Sequence, residues 1–426
     1  MEPISAIATP AGRGGVAIVR VSGEGALAIA RGMFSRKGEY TPNVMYAGEI
    51  DCGGFSDYGL CVYFRAPKSF TGEDVVEFHC HGGAEIARGV LSRTLSLGAR
   101  LAGRGEFTKR AFLNGKLSLS ACEGMGEMIA AESAAEVRAG YSLYLETLTK
   151  EAKRLGELLT ECLASVEADV DFPEEELERE SREEVKTRLL TIKEALTSLR
   201  ARYEAGRKIK SGVNVVIAGA PNAGKSSLLN ALLGYDRAIV SSVEGTTRDA
   251  VEGAAEIRGV KFNLTDTAGL RETADEIEKE GVRRAERAMR SADLVLWLKD
   301  DVSLPPKTDA PVIAVGAKCD LARRCDCEIV VSSVTGEGIE DLKKLVYSRT
   351  LGEPKEGAYL LEARHFEALG EALEAVNRAL AAIEELPAEL YAEDLRAARI
   401  ALGKISGETA TEAVISEIFE KFCVGK

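Results

Sequence analysis

Gly219-Ala220-Pro221-Asn222-Ala223-Gly224-Lys225-Ser226 satisfies the pattern G-x-x-x-x-G-K-[ST], and its flanks give it a context. The apolar run Val213–Ala218 before it reads as a buried strand, and Ser227-Leu228-Leu229-Asn230 after it opens a helix. A glycine-rich turn between strand and helix lets backbone N–H groups converge on phosphate oxygens, helped by the helix N-terminus. Lys225 supplies a charge to β/γ-phosphates, and the Ser226 hydroxyl suits Mg²⁺. A glycine turn that merely precedes Lys-Ser would lack these flanks and the motifs downstream.

Those motifs come in the order of a GTPase. Gly245-Thr246-Thr247-Arg248-Asp249 reads as a switch loop, with Thr247 closing on Mg²⁺ and the γ-phosphate. Asp266-Thr267-Ala268-Gly269 follows an apolar run; Asp266 reaches Mg²⁺ through water and the Gly269 N–H senses the γ-phosphate. Ala317-Lys318-Cys319-Asp320 ends the run Val312–Val315, where a guanine-reading N/T-K-x-D motif belongs. Asp320 would accept two hydrogen bonds from guanine, which adenine cannot reproduce. Ser332-Ser333-Val334 then sits where a backbone N–H meets guanine O6. Two departures stand out. Ala317 replaces the usual Asn, a loss of one neutral hydrogen bond, about 0.5–1.5 kcal/mol, which weakens binding several-fold rather than abolishing it. Leu270 occupies the place of a water-orienting Gln, so another group must position the attacking water.

Outward from this core, the chain has 426 residues, which at roughly 150 per domain suggests about three domains. With 45% apolar and 29% charged residues each domain can bury a core, which excludes global disorder. No run approaches ~18 uninterrupted apolar residues, so no membrane helix is expected, and Met1-Glu2-Pro3-Ile4 does not begin a signal peptide. Nine scattered cysteines point to thiols in a reducing cytoplasm. The formal charge of −13 argues against a uniformly nucleic-acid-coated surface but leaves room for a local basic patch.

The pattern divides into four stretches. Residues 1–116 read as α+β: runs Gly15–Val21, Leu60–Arg65 and Asp74–Phe78 alternate with helices near Ala26–Phe34 and Ala84–Leu97. Residues 117–208 read as helical, with Leu155, Leu158, Leu159, Cys162, Leu163 and Val166 on one face. Pro173 and Glu174-Glu175-Glu176 punctuate, and Val185, Leu189, Ile192, Leu196 and Leu199 form a narrow 4-3-4-3 seam. Residues 209–350 alternate apolar strands (Val260–Leu264, Leu294–Leu298, Ile329–Val331) with helices, the signature of a parallel α/β domain. Residues 351–426 return to helix, ending in the stripe Val414, Ile415, Ile418, Phe419, Phe422. The two helical blocks are expected to pack as one discontinuous domain with the α/β domain inserted between them.

Four separated signatures carry a resemblance over nearly the whole length. They are Ile7-Ala-Thr-Pro-Ala-Gly-Arg-Gly-Gly15 with Ile18-Val19-Arg20-Val-Ser-Gly23; Ser69-Phe-Thr-Gly-Glu-Asp74 with His81-Gly-Gly83; Gly105-Glu-Phe-Thr-Lys-Arg-Ala-Phe-Leu-Asn-Gly-Lys116; and Phe422-Cys-Val-Gly-Lys426. The chain resembles the bacterial tRNA-modification GTPases of the MnmE (TrmE) family. The resemblance implies an N-terminal folate-binding, dimer-forming α+β domain, a discontinuous helical domain and an inserted P-loop GTPase domain. It implies a homodimer, cytoplasmic and without a membrane role, working with the FAD-dependent partner MnmG. The activity implied is potassium-activated GTP hydrolysis coupled to carboxymethylaminomethyl or aminomethyl modification of the wobble uridine of certain tRNAs. The one-carbon donor implied is 5-formyl-tetrahydrofolate or a related tetrahydrofolate.

By matching motifs, Arg20, Glu77, Lys116 and Lys426 fall on folate-binding positions, cations facing carboxylates and Glu77 facing the pterin's donor edge. Asn222, Ser241, Val243 and Thr246 fall on potassium positions, where a cation does the work of an arginine finger. Glu278 falls on the catalytic glutamate, which fits Leu270 at the Gln position; beside Glu276 and Glu280 it otherwise reads as part of a solvated face. The resemblance places Cys423 near the folate region, as a catalytic or redox thiol. The full nucleotide set is Asn222, Ala223, Gly224, Lys225, Ser226, Ser227, Ser241, Ser242, Val243, Glu244, Gly245, Thr246, Thr247, Asp266, Thr267, Ala268, Gly269, Lys318, Asp320, Ser332, Ser333 and Val334. Mg²⁺ would take Ser226 and Thr247.

Weaker signals remain. His79-Cys80-His81 and Cys319, Cys325, Cys327 lack paired metal-ligand spacing, so a metal site is disfavoured. Arg100, Arg104, Lys109, Arg110 and Lys116, with Arg207, Lys208 and Lys210, read equally as tRNA-backbone contacts or a solvated rim. The competing function is a regulatory G-protein switch that docks on RNA or a ribosome and modifies nothing.

Overall fold

A computed structural model describes residues 1–171, 182–234, 253–266, 288–299, 305–319, 327–352 and 362–425. Its contacts group into two units: Met1–Gly126 with Tyr144–Arg188 and Glu374–Lys426, and Glu127–Leu143 with Leu189–Leu373. The fold is mixed α/β and α+β, as the pattern predicts.

The first unit is built on a six-stranded sheet of order β3-β4-β5-β2-β1-β6. Its strands are β1 (Ile4–Ile7), β2 (Val16–Ser22), β3 (Met45–Asp51), β4 (Ser56–Phe64), β5 (Val75–His81) and β6 (Arg100–Leu101). Alternation sets its two faces. Ala17, Val19 and Val21 of β2, Val76, Phe78 and Cys80 of β5, and Cys61 and Tyr63 of β4 point to one side. There α1 (Ala26–Met33) and α2 (Ala84–Ser96) bury Ala26, Ile29, Ala30, Met33, Ala87 and Val90 against them. The opposite face carries Ile18, Arg20, Glu77 and His79, aligned by the antiparallel pairing Ile18↔His79 and Arg20↔Glu77.

The signature around residues 69–74 and 105–116 is largely a scaffold. Arg110, 4% exposed on α3 (Glu106–Leu113), donates to Glu73 at 3.0 Å, Glu106 at 3.1 Å and the Glu2 carbonyl at 2.9 Å. Ser22 donates to Glu73 at 2.8 Å and shares a 2.7 Å hydrogen bond with buried Thr71. Asp74 accepts from the Tyr63 hydroxyl and the Ala66 N–H. A guanidinium taken this far from water needs several partners, and it has them. Arg100 pairs with Glu2 and Glu106, both at 2.6 Å.

Around this sheet the unit adds α4 (Leu119–Ala130), α6 (Thr147–Asp171), α12 (Ala388–Ser406) and α13 (Glu412–Glu420). The α6 stripe of Leu155, Leu159, Cys162 and Val166 is buried, as are Leu395, Ala398, Leu402 and Ile405 of α12, and the two helices pack along one another. Ser120 donates to the Ile405 carbonyl at 2.6 Å. The C-terminal stripe behaves as expected: Ile418, Phe419 and Phe422 bury against Leu119 and Cys122. Like α4, the helices α7 (Arg182–Arg200) and α11 (Ala363–Ala382) carry residues of both units. The α7 seam of Val185, Leu189, Ile192, Leu196 and Leu199 is buried throughout. Pro173 and Glu174–Glu176 lie outside the described residues.

The second unit contains α5 (Ala134–Tyr144), α8 (Tyr203–Ser211), α9 (Lys225–Gly234) and α10 (Ile339–Leu351) with a second six-stranded sheet. Its strands are β7 (Val213–Gly219), β8 (Gly253–Ile257), β9 (Val260–Asp266), β10 (Leu294–Leu298), β11 (Val312–Ala317) and β12 (Ile329–Val331). The order is β12-β11-β10-β7-β9-β8, parallel except for the antiparallel edge β8. Every residue of β10 is buried, the continuous apolar run of a strand covered on both faces.

Glu106 gives a pH test of the scaffold. Burial pushes its carboxyl up, but hydrogen bonds from Arg100, the Gly103 N–H and Arg110 outweigh that and bring it down to about 2 from 4.5. A depressed carboxylate stabilises the fold above its unfolded value, and that contribution is lost as pH falls from about 4.5 towards 2. The Glu106→Gln variant should therefore show a flatter acid limb in urea unfolding followed against pH. An acid limb as steep as the parent's would remove Glu106 from this role.

Candidate functional site

The phosphate loop leaves the carboxyl end of β7, the central strand between β10 and β9. Gly219 has φ +155°, and a Cβ there would lie 2.9 Å from the Leu298 carbonyl oxygen, so the turn leaves room for glycine alone. Asn222 sits in the left-handed region at φ +61°, a conformation that asparagine tolerates better than most residues. Lys225 is 6% exposed, and its ammonium donates to the carbonyls of Gly219 at 3.1 Å and Ala220 at 2.8 Å. The lysine is thus curled back into its own loop at the start of α9.

Ser226, the second residue of α9, donates to Asp266 Oδ2 at 2.6 Å. Asp266 ends β9 and is 1% exposed. The register Ile217↔Asp266 brings the two strand ends to one level. A hydroxyl and a carboxylate as hard oxygen donors at one point fit Mg²⁺, which keeps several waters and takes few protein ligands. Among the described residues no group of three or more His, Cys, Asp or Glu is placed to hold a metal by itself.

The base-reading strand β11 abuts the same loop. Lys318 takes φ +63° and donates to the Asn222 carbonyl at 3.0 Å, tying the end of β11 to the phosphate loop. A Cβ built on Gly224 would lie 3.8 Å from the Ala317 Cβ, so the position where an asparagine would brace the loop is adjacent to it. Ser332 is fully buried, and its hydroxyl accepts from the N–H groups of Val334 at 3.3 Å and Thr335 at 3.2 Å. That turn presents Val334, 84% exposed, beyond the end of β12. Asn222, Ala223, Gly224, Lys225, Ser226, Ser227, Asp266, Lys318, Ser332, Ser333 and Val334 therefore gather at the carboxyl ends of the parallel strands.

The N-terminal set occupies the first unit. Arg20 Nε donates to Glu77 Oε1 at 2.7 Å across the β2–β5 pairing, with its guanidinium near the rings of Phe70 and Phe107. His79 Nε2 lies 3.3 Å from Glu77 Oε2. Burial raises the Glu77 carboxyl, but hydrogen bonding to His79 and the charge and hydrogen bond of Arg20 outweigh it, leaving it below the usual range. Lys116 is exposed and donates to the Pro67 carbonyl at 3.0 Å. The C-terminal tail arrives here too. Arg104 and Val424 form an antiparallel bridge, and the Gly105 N–H donates to the Cys423 carbonyl. Gly425, at φ +96°, packs so closely that a Cβ would lie 2.3 Å from the Ile7 carbonyl oxygen. Ile7 adjoins Ala6, the strand partner of Arg20. Cys423 is exposed.

A model of the MnmE helical domain matches residues 119–423, and one of the GTP-binding protein TrmE N-terminus matches residues 3–116. The chain is 40% identical over 461 residues to the tRNA modification GTPase MnmE of Chlorobaculum tepidum, covering 100% of this chain and 98% of that one. It is 38% identical to that of Aquifex aeolicus, covering 100% of both, and 39% identical to that of Chlamydia trachomatis, covering 100% and 99%. The chain belongs to the MnmE family of tRNA modification GTPases. It is an enzyme of the GTP-hydrolase class.

Several MnmE-family positions named from the sequence lie outside the described residues: Ser241, Ser242, Val243, Glu244, Gly245, Thr246, Thr247, Thr267, Ala268, Gly269, Leu270, Glu278, Asp320 and Lys426. The basic cluster is partly corrected. Arg100 and Arg110 are held in the carboxylate network above, Lys208 pairs with Asp293, and Lys210 pairs with Glu127 and Glu362. Among the described carboxylates Arg104, Lys109 and Lys116 have no ion pair, and Arg207 pairs with neighbouring Glu204 alone. His81 pairs with Asp57 at 2.7 Å, so His79 and His81 serve separate carboxylates. Cys52, Cys61, Cys80, Cys122 and Cys423 are free thiols, and Cys327 is disulfide-bonded. Sequence reasoning missed Phe70 and Phe107 as walls around Arg20, although both stand inside quoted signatures. No described helix is long and apolar enough to cross a membrane.

Restoring the missing brace gives a direct test. Ala317→Asn should tighten fluorescent GDP binding about threefold to tenfold, the worth of one neutral hydrogen bond. Unchanged affinity would mean that Lys318 alone ties β11 to the loop.

Proposed function

We propose that this chain is a potassium-activated, dimerising GTPase that acts in carboxymethylaminomethyl or aminomethyl modification of the wobble uridine of certain tRNAs. In this reading it works with the FAD-dependent partner MnmG and uses 5-formyl-tetrahydrofolate or a related one-carbon tetrahydrofolate. The observation that carries the hydrolytic half is Ser226 at 2.6 Å from Asp266 beside a phosphate loop. Family membership over the full length supports the tRNA half.

Lys225, now satisfied by its own loop, would exchange the Gly219 and Ala220 carbonyls for β/γ-phosphate oxygens without moving far. Mg²⁺ would be held by Ser226 and Thr247, with Asp266 behind a water, and would offset charge on the phosphates. Asn222, Ser241, Val243 and Thr246 would hold K⁺, and Glu278 would orient the attacking water where Leu270 cannot. Asp320 would read guanine. In the N-terminal region Arg20, Glu77, Lys116 and Lys426 would bind the folate, with Cys423 close by. Because Arg20 and Glu77 already pair, the ligand must join their ion pair rather than meet two free charges. Arg104, Lys109, Lys116 and Arg207 are the cations best placed for the tRNA backbone.

Hydrolysis measured in potassium and in sodium tests the cation: faster turnover in potassium is expected, and equal rates would exclude K⁺ activation. The Glu278→Ala variant should lose hydrolysis while binding GTP as the parent does; undiminished turnover would remove Glu278 from its role. Mass analysis of tRNA from cells lacking the protein should find the wobble uridine unmodified. Fully modified tRNA would leave the reading of a switch that docks on RNA and modifies nothing.

A further inference from the structure

Asp266 stands at one end of β9, and the other end of the strand is gripped by contacts that nucleotide binding does not require. The Gly259 carbonyl accepts the Ala135 N–H of α5 at 2.7 Å. Lys261 Nζ meets Glu132 Oε2 at 2.5 Å. Asn263 Nδ2 donates to the Ser211 carbonyl at 3.2 Å and to Asn214 Oδ1 at 3.1 Å, where α8 passes into β7. The α5 end that receives β9 is itself braced. Ser133 and Glu136 form a reciprocal cap, Ser133 donating to the Glu136 carboxylate at 2.8 Å and accepting the Glu136 N–H at 3.3 Å. The Glu136 carboxylate also accepts the Glu132 N–H at 2.9 Å.

Between these grips and Asp266 the strand is stiff. From Phe262 to Leu264 it is paired on both sides, with β7 and β8, and its pairing with β7 continues to Asp266; Phe262, Leu264 and Thr265 are buried. Lys261 and Asp266 are five residues apart, ~17 Å along an extended strand. A paired strand with close-packed buried side chains shifts as a unit rather than bending within. Mg²⁺ demands near-ideal octahedral geometry, so a small displacement of Asp266 weakens metal binding out of proportion to the shift.

We propose that Lys261 and Asn263 are positioning residues for Mg²⁺, holding β9 in the register that presents Asp266 to Ser226. The docking of β9 on α5 and the binding of Mg²⁺-nucleotide are then one linked equilibrium, each strengthening the other. This rests on the assignment of Ser226 and Asp266 to Mg²⁺.

The test titrates Mg²⁺ into the full-length protein with fluorescent GDP, alongside GDP binding in EDTA as the metal-free reference. Lys261→Glu and Asn263→Leu should each require about three- to fivefold more Mg²⁺ for half-maximal tightening, the scale of a partly buried ion pair or hydrogen bond. Affinity in EDTA should stay at the parent value. Adding Glu132→Lys to Lys261→Glu should restore the parent Mg²⁺ requirement. Amide exchange read at Ala135 should slow when Mg²⁺ is added to the GDP-bound parent. An unaltered Mg²⁺ requirement, an equal loss in EDTA, a double variant as poor as the single one, or Ala135 exchange indifferent to Mg²⁺ would each overturn the proposal. GDP binding by the parent that is itself indifferent to Mg²⁺ would instead overturn the Ser226/Asp266 assignment beneath it.

Discussion

Ile217 lies opposite Asp266 in the parallel pairing of β7 and β9, and the geometry of the nucleotide site depends on that register. Two residues beyond Ile217 the chain turns at Gly219 into the phosphate loop, and it re-enters helix at Lys225 and Ser226. A slip of one residue would turn Asp266 to the other face of the sheet and leave the Ser226 hydroxyl facing a backbone. The register is held by burial: Val215 and Ile217 of β7 and Phe262 and Leu264 of β9 are interior on one face of the sheet, and Val216 of β7 on the other. A polar carboxylate is 1% exposed at the strand end because a hydroxyl is there to meet it. The apolar core of the sheet and the position of one oxygen atom are therefore the same constraint.

The nucleotide loop was legible in the sequence because its chemistry is contiguous: strand, glycine turn, Lys-Ser and helix follow one another without a gap. The strands β7, β10 and β11 were legible for a related reason, since burial on both faces leaves a near-continuous apolar run, and β9 by the alternation Val-Lys-Phe-Asn-Leu. β1, β3 and β8 were not. β1 is four residues long, β3 is a half-exposed edge strand carrying Gly48 and Glu49, and β8 is an antiparallel edge of Gly-Ala-Ala-Glu-Ile. None of the three has a period that separates it from a loop. The ion pair of Arg20 with Glu77 was equally hidden, because only an antiparallel register joins residues so far apart in the chain.

The basic cluster teaches the complementary lesson. A run of cations in sequence says nothing about carboxylates brought in from elsewhere, and Glu2, Glu73, Glu127, Asp293 and Glu362 all arrive from distant segments. Arg110, which reads as a surface cation, is among the most buried charged groups described. With a formal charge of −13, the chain spends several of its cations on internal neutralisation. Within that cluster, what remains for a polyanionic partner is Arg104, Lys109, Lys116 and Arg207, so association through it should rest more on shape and partner surface than on bulk attraction.

The tail at Cys423–Gly425 reaches back to Ile7 and Arg104, so the first strand of the chain and its last residues share one neighbourhood. On a ribosome the two emerge far apart in time. The N-terminal sheet can form as soon as β5 and β6 have emerged, whereas the contacts of Cys423–Gly425 with Arg104, Gly105 and Ile7 must wait for both helical segments and the second sheet to be made. The neighbourhood of β1 is therefore completed long after its own sheet, and β1 keeps backbone groups open to a late-arriving partner.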